Sequence, residues 1–184
     1  MNQMDKMIDL EKTLQAARCL NAKAMATLCE YYYYKILKFM YYRVGQNDAE
    51  DITSEVFMKV MRSIESQSGN FEAWLYRIAR NTIIDKARYR NARPEIELKL
   101  EYDEDIDENK NMEKQIGSML DVEFALGKIN DEYRELLVMK FIQGLSNDEI
   151  AEITGRSQGA IRIMQFRALK SMRAVLKNGD DHNV

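Results

Sequence analysis

Apolar side chains recur along this chain three and four positions apart, the spacing that gathers them on one face of an α-helix. Leu10, Leu14, Ala17 and Leu20 form one stripe, and Ala24, Leu28, Tyr31, Tyr32, Ile36, Phe39 and Met40 a second, which Gly45 ends. Ala49, Ile52, Val56, Val60 and Ile64 form a third. Its helix is announced by Asn47 as N-cap with Glu50 as reciprocal partner, and by Asp48 and Asp51 near the positive helix end. At about 100° per residue the opposite side carries Asp51, Ser54, Glu55, Met58 and Arg62, an acidic surface around a flexible apolar residue. A polar loop from Glu65 to Asn70 precedes a basic amphipathic helix opening at Phe71, in which Trp74, Ile78 and Ile84 face inward and Arg77, Arg80, Arg88 and Arg90 outward. Trp74 suits packing better than the stacking of a nucleic-acid base, since a tryptophan at helical spacing is more often core than platform.

The strongest local signal lies near the C-terminal end. In Leu145-Ser146-Asn147-Asp148-Glu149-Ile150-Ala151-Glu152-Ile153-Thr154-Gly155-Arg156-Ser157, Ser146 and Glu149 make a capping box, Leu145 and Ile150 a hydrophobic staple, and Gly155 a turn requiring positive φ. Ser157 then caps a second helix. That order is the grammar of a helix-turn-helix. On the second helix Ile161, Met164, Ala168, Met172 and Val175 share the inner stripe, while Arg162, Ile163, Phe166, Arg167, Lys170 and Arg173 lie on or near the far side. Such a face suits a major groove, with Arg162 reaching base edges, later cations reaching phosphates, and Ile163 and Phe166 meeting thymine methyls or a partner surface. A solvated surface or an anionic membrane would accept the same spacing, but the preceding cap and turn favour DNA.

Composition sharpens this picture. The chain has 184 residues, eight glycines and one proline, Pro94, and it is rich in helix formers, so an all-α protein is expected. Acidic residues at Asp5, Asp9 and Glu11 interrupt the beginning of the chain, which therefore reads as neither signal peptide nor membrane span; the cytoplasm is the expected compartment. Cys19 and Cys29 have no histidine near them, since His182 is the only one. No metal and no cofactor is expected, and two small buried thiols are the ordinary reading, with a redox sensor as the alternative. The tyrosines of the run Tyr31 to Tyr34, with Tyr41 and Tyr42, point in several directions on a helix, which favours packing over a stacking platform.

The formal net charge is −3, but it is distributed unevenly. A basic stretch holds Arg77, Arg80, Lys86, Arg88, Arg90 and Arg93, and a second holds Arg156, Arg162, Arg167, Lys170, Arg173 and Lys177. Between them stand Glu95, Glu97, Glu101, Asp103, Glu104, Asp105, Asp107 and Glu108. Pro94 disfavours helix at Arg93, and the acidic run buries too little apolar surface to offset ordering entropy. The expected organisation is a front unit over 1–93, a flexible acidic linker over 94–118, a rear unit over 119–177 and a disordered tail over 178–184.

Both units together resemble one known family. Tyr42-Arg43-Val44-Gly45, then Asp48-Ala49-Glu50-Asp51-Ile52-Thr53-Ser54-Glu55-Val56-Phe57, then Ala73-Trp74-Leu75-Tyr76-Arg77-Ile78-Ala79-Arg80-Asn81 with Asp85, resemble the second conserved region of extracytoplasmic-function (ECF) sigma factors of the sigma-70 family. Leu136 to Phe141, Gly144-Leu145-Ser146 with Glu149-Ile150-Ala151, and Arg167-Ala168 resemble their fourth region. The resemblance implies a non-enzymatic initiation factor that directs core RNA polymerase to promoters. Asp48, Glu50, Asp51, Ser54, Glu55 and Met58 would dock the polymerase clamp helices, and the polymerase flap is a further expected contact. The loop from Glu65 to Asn70 and the helix Phe71 to Arg90 would capture the melted −10 element through Phe71, Arg77, Arg80, Asn81 and Arg88. Arg156, Ser157, Arg162, Ile163, Phe166, Arg167 and Lys170 would read the −35 element as duplex. The linker would thread the polymerase's RNA exit region, where an acidic segment resembles displaced transcript.

The recognition helix departs from many relatives over Ala160 to Phe166, so base preference does not carry over. The segment before the first matched helix is short for an autoinhibitory domain, which leaves control to a separate anti-sigma factor or to expression. Neither membrane insertion nor an obligate homo-oligomer is expected. Two other readings stay open on the residues alone: a stand-alone helix-turn-helix regulator with a sensing or dimerising front unit, and a helical adaptor whose basic helix meets an acidic protein.

Overall fold

A computed structural model describes residues 9–92 and 122–180, and every regular element among them is helical. The expected linker over 94–118, and positions 1–8 and 181–184, lie outside these residues. The front unit comprises α1 (Leu10–Arg18), α2 (Ala22–Val44), α3 (Gln46–Ser63), a 3-10 turn (Ile64–Ser66) and α4 (Phe71–Ala92). The rear unit comprises α5 (122–128), α6 (Asp131–Leu137), a π-helical turn (Val138–Ile142), α7 (Asn147–Thr154) and α8 (Gln158–Asp180). Helix α8 thus continues through 178–180, beyond the boundary expected for the tail.

Local chemistry sets most boundaries. Asp9 accepts the Lys12 N–H and starts α1; Asn21 accepts the Ala24 N–H and starts α2. Between them the chain turns at Leu20, whose φ is 59° and whose side chain is exposed, so Leu20 leaves the apolar stripe expected for it. Gly45, at φ 84°, donates its N–H to the Tyr41 carbonyl and ends α2. The chain enters α3 at the next residue, and no side chain caps that helix. The expected Asn47–Glu50 box is therefore absent: the glycine reverses the chain in one step, and Asn47 already lies inside the first turn.

Ile36, Phe39 and Met40 of α2, Ile52 and Val56 of α3, and Leu75 and Tyr76 of α4 are fully buried. The third stripe, Ala49, Ile52, Val56, Val60 and Ile64, is buried along its whole length. In the rear unit Leu136, Leu137, Val138 and Met139 are buried consecutively, which one face of a regular helix cannot achieve. Packing on several sides explains it: the π turn meets α2 and α7, and α6 meets α8. One apolar cluster runs through both units, and α4 packs against α7. The units are closed upon one another.

Candidate functional site

The helix-turn-helix is built as its residues dictate. Ser146 Oγ accepts the Glu149 N–H at 3.2 Å, and Glu149 Oε2 accepts the Ser146 N–H at 2.8 Å. Leu145 and Ile150 are buried beside this box, and Gly155 turns the chain at φ 71°. Ser157 accepts the Ala160 N–H and so caps α8. Ile161, Met164 and Ala168 are buried, which turns Arg162, Ile163, Phe166, Arg167 and Lys170 to solvent; Phe166 is 72% exposed. No acidic residue interrupts the sequence from Arg156 to Lys177. Arg156 is the exception among the proposed upstream contacts. It pairs with Glu132 at 2.7 Å and lies against the Met164 sulfur, bracing α6 to the start of α8.

On α3, Glu50, Asp51, Ser54 and Met58 are exposed, and Glu55 pairs with Lys59 at 3.0 Å. Met61, which the pattern of the helix did not single out, is exposed beside this face. Asp48 differs from its neighbours. It is held by Arg90 at 2.6 Å and Lys86 at 3.7 Å, so it ties the start of α3 to the end of α4 instead of projecting outward.

Helix α4 corrects the sequence reading most. Phe71 is only 8% exposed, its ring 5.3 Å from that of Tyr32 and 5.6 Å from that of Trp74, and it is core and not a surface contact. Trp74 and Ile78 pack partly buried against the same cluster. Arg77 and Arg80, expected outside, face the rear unit: Arg77 Nη2 donates to the Glu152 carboxylate and carbonyl, both at 3.2 Å, and Arg80 Nε meets Glu135 at 3.1 Å. Asn81 and Arg88 are exposed as expected.

Sequence reasoning missed the junction into which these arginines run. Arg43, with 5% of its side chain exposed, makes a bidentate pair with Asp131 at 2.8 and 3.1 Å and lies 3.8 Å from Glu135. Glu135 is 7% exposed and is shared by Arg43 and Arg80. The Tyr76 hydroxyl donates to Gln143 across the same junction at 2.8 Å, and burial pushes its pKa well up. The Arg43 hydrogen bond holds the Asp131 carboxyl below its ordinary value. No local signal marks these acids, because Asp131-Glu132-Tyr133-Arg134-Glu135 reads as a solvated helix start until the opposing arginines are in place.

Cys19 is exposed, contrary to the expected buried thiol. Cys29 is partly buried, and desolvation raises its thiol pKa. Among the described residues no group of His, Cys, Asp and Glu is placed to hold a metal ion, and no helix is long and apolar enough to cross a membrane.

Two family models match the chain: sigma-70 region 2 over residues 28–93 and sigma-70 region 4 over residues 119–172. The ECF RNA polymerase sigma factor BldN of Streptomyces coelicolor is 31% identical over 177 residues, covering 93% of this chain and 66% of BldN. The chain thus spans a little under two thirds of that relative. The ECF RNA polymerase sigma-E factor of Haemophilus influenzae is 31% identical over 160 residues, covering 79% of this chain and 84% of that protein. Among solved structures, the sigma factor RpoE in complex with the anti-sigma factor NepR, from Bartonella quintana, has a TM-score of 0.66 at 21% identity, covering 84% of this chain and 98% of RpoE. That likeness is one of fold.

Proposed function

The chain belongs to the sigma-70 family, in its extracytoplasmic-function branch, and on that premise we propose that it binds core RNA polymerase and directs it to promoters. In this reading α8 reads duplex at the upstream element, and α4 with the loop before it captures opened bases at the downstream element. The observation that carries it is the outer face of α8: Arg162, Ile163, Phe166, Arg167 and Lys170 stand together in solvent behind a fully capped helix-turn-helix. Three cations and two apolar groups on one helical surface match phosphates, base edges and thymine methyls. Glu50, Asp51, Ser54 and Met58 on α3 are open for a basic polymerase surface, which makes docking partly ionic.

The two ends of the DNA site differ in readiness. Arg77 and Arg80 are occupied by the carboxylates of Glu152 and Glu135. Downstream DNA must displace them, so the rear unit moves off α4 before an opened strand can bind. Polymerase docking precedes that step in this scheme, since the α3 face is open while the units are closed. RpoE is captured with a separate anti-sigma protein, and in this reading a separate anti-sigma protein controls this chain as well.

Run-off transcription with core polymerase tests the proposal. Promoter-dependent product is expected, together with co-sedimentation of chain and core enzyme. Tight binding to a symmetric duplex operator as a dimer, without polymerase and with no transcript, would replace the proposal with the stand-alone regulator.

A further inference from the structure

We infer that Gln67, anchored by Arg18 of α1, is the positioning residue for the loop proposed above to capture an opened base. The inference rests on that reading of the loop and adds what gives the loop its shape. Glu65, Ser66, Ser68, Gly69 and Asn70 are all exposed, whereas Gln67 in their midst is 4% exposed. Its side chain is fully engaged. The amide nitrogen donates to the Ser68 carbonyl at 3.0 Å and to the Gly69 carbonyl at 3.1 Å, and the amide oxygen accepts from Arg18 Nε at 3.0 Å and from Arg18 Nη2. Its backbone N–H donates to the Ile64 carbonyl.

The loop therefore folds around a side chain of its own, and Gly69 at φ 72° allows the chain to bend over it. The other end of this arrangement is distant in sequence: Arg18 is the last residue of α1, which packs on the 3-10 turn that opens the loop. Arg18 also lies before residue 28, where the region 2 match begins, so the matched region alone does not contain the anchor. A surface loop without such support would lose conformational entropy on closing around a base; one already fixed from beneath loses less, and its selectivity follows from its shape. Helix α1 thereby acts on promoter recognition without touching DNA.

The test uses the full chain, with and without core polymerase. Gln67→Glu keeps an acceptor for Arg18 but cannot donate to the two carbonyls; Arg18→Ala removes the anchor; Arg18→Lys restores one donor. Backbone order parameters of Ser68 and Gly69 are expected to fall from about 0.85 to below about 0.6 in the first two variants and to recover in part with lysine. Discrimination among downstream-element bases in open-complex formation should fall about tenfold, the loss of roughly one to two hydrogen bonds, with polymerase affinity unchanged. Ser68→Trp, which adds bulk on the exposed side, reports on the loop itself. If it alters base preference while Gln67→Glu and Arg18→Ala leave order parameters and discrimination untouched, the positioning role is overturned. If Ser68→Trp also has no effect on base preference, the loop is not the base-capturing element and the inference falls with that reading.

Discussion

Arginine meets three environments in this molecule, and each gives it a different task. Arg162 and Arg167 project from α8 into solvent, Arg77 and Arg80 close ion pairs with the rear unit, and Arg43 is buried among carboxylates. The amino-acid type alone told only that each was cationic. On the outer face, replacing Arg162 by alanine should lower discrimination at one upstream base pair by about 1 to 3 kcal/mol, as a bidentate base contact would. Lys170→Ala should weaken all sequences alike and reduce the salt slope by about one, as loss of a phosphate contact does. Titrations over matched and mismatched duplexes at several salt concentrations separate the two; equal effects of both variants would cancel the division of labour. Asp131 gives a pH prediction. Its carboxyl is depressed from 3.8 by Arg43, so its contribution is complete above that value and fades as pH drops through the lower folded value. Asp131→Asn should flatten the acid limb of stability below about pH 4 and leave its slope near neutrality unchanged. Acid melting curves of the two proteins check this.

At the scale of elements, what could be foreseen tracks how local its causes are. Helix α7 and the turn after it follow from five residues, Leu145, Ser146, Glu149, Ile150 and Gly155, all within eleven positions, and the expected box and turn are present. The start of α3 was misplaced although its signals were just as near, because Gly45 performs by backbone conformation what Asn47 was expected to do by side chain. Inward and outward faces of α3 and α8 followed from periodicity, whereas on α4 the outward places of Arg77 and Arg80 did not, since the rear unit covers that stretch while Asn81 and Arg88 stay exposed. Phe71 shows the same limit, being an aromatic at a helix start that the family resemblance turned into a DNA contact and the packing of Tyr32 and Trp74 turned into core. Two predictions belong here. Gly155→Ala forces a side chain into the left-handed region and should cost about 1 to 2 kcal/mol, read as a lower thermal midpoint, with an unchanged midpoint contradicting the turn. Asp51→Lys reverses charge at the centre of the open α3 face and should impair co-sedimentation with core polymerase while the variant's grip on upstream duplex persists; undiminished co-sedimentation would remove α3 as the docking face.

For the molecule as a whole, the question is what keeps the units together, and magnitudes order the contributions. The Arg77–Glu152 pair is nearly half exposed and is worth at most about 1 kcal/mol. The Arg43–Asp131–Glu135–Arg80 cluster is different in kind, because Arg43 and Glu135 are almost without solvent and removing one partner of such a pair costs about 3 to 5 kcal/mol. Glu135→Gln therefore leaves Arg43 buried with less compensation only while the units stay closed; opening returns the guanidinium to water. The substitution is expected to shift the population toward the open form, since each 1.4 kcal/mol is about tenfold in an equilibrium. Small-angle scattering should show a larger radius of gyration, and single-stranded downstream DNA should bind more tightly in the absence of polymerase, because Arg80 has lost its internal partner. Glu152→Ala should give the second effect in smaller measure. If Glu135→Gln leaves both size and affinity where they were, the apolar cluster running through both units is sufficient to hold them, and the charges at the junction choose register without controlling access.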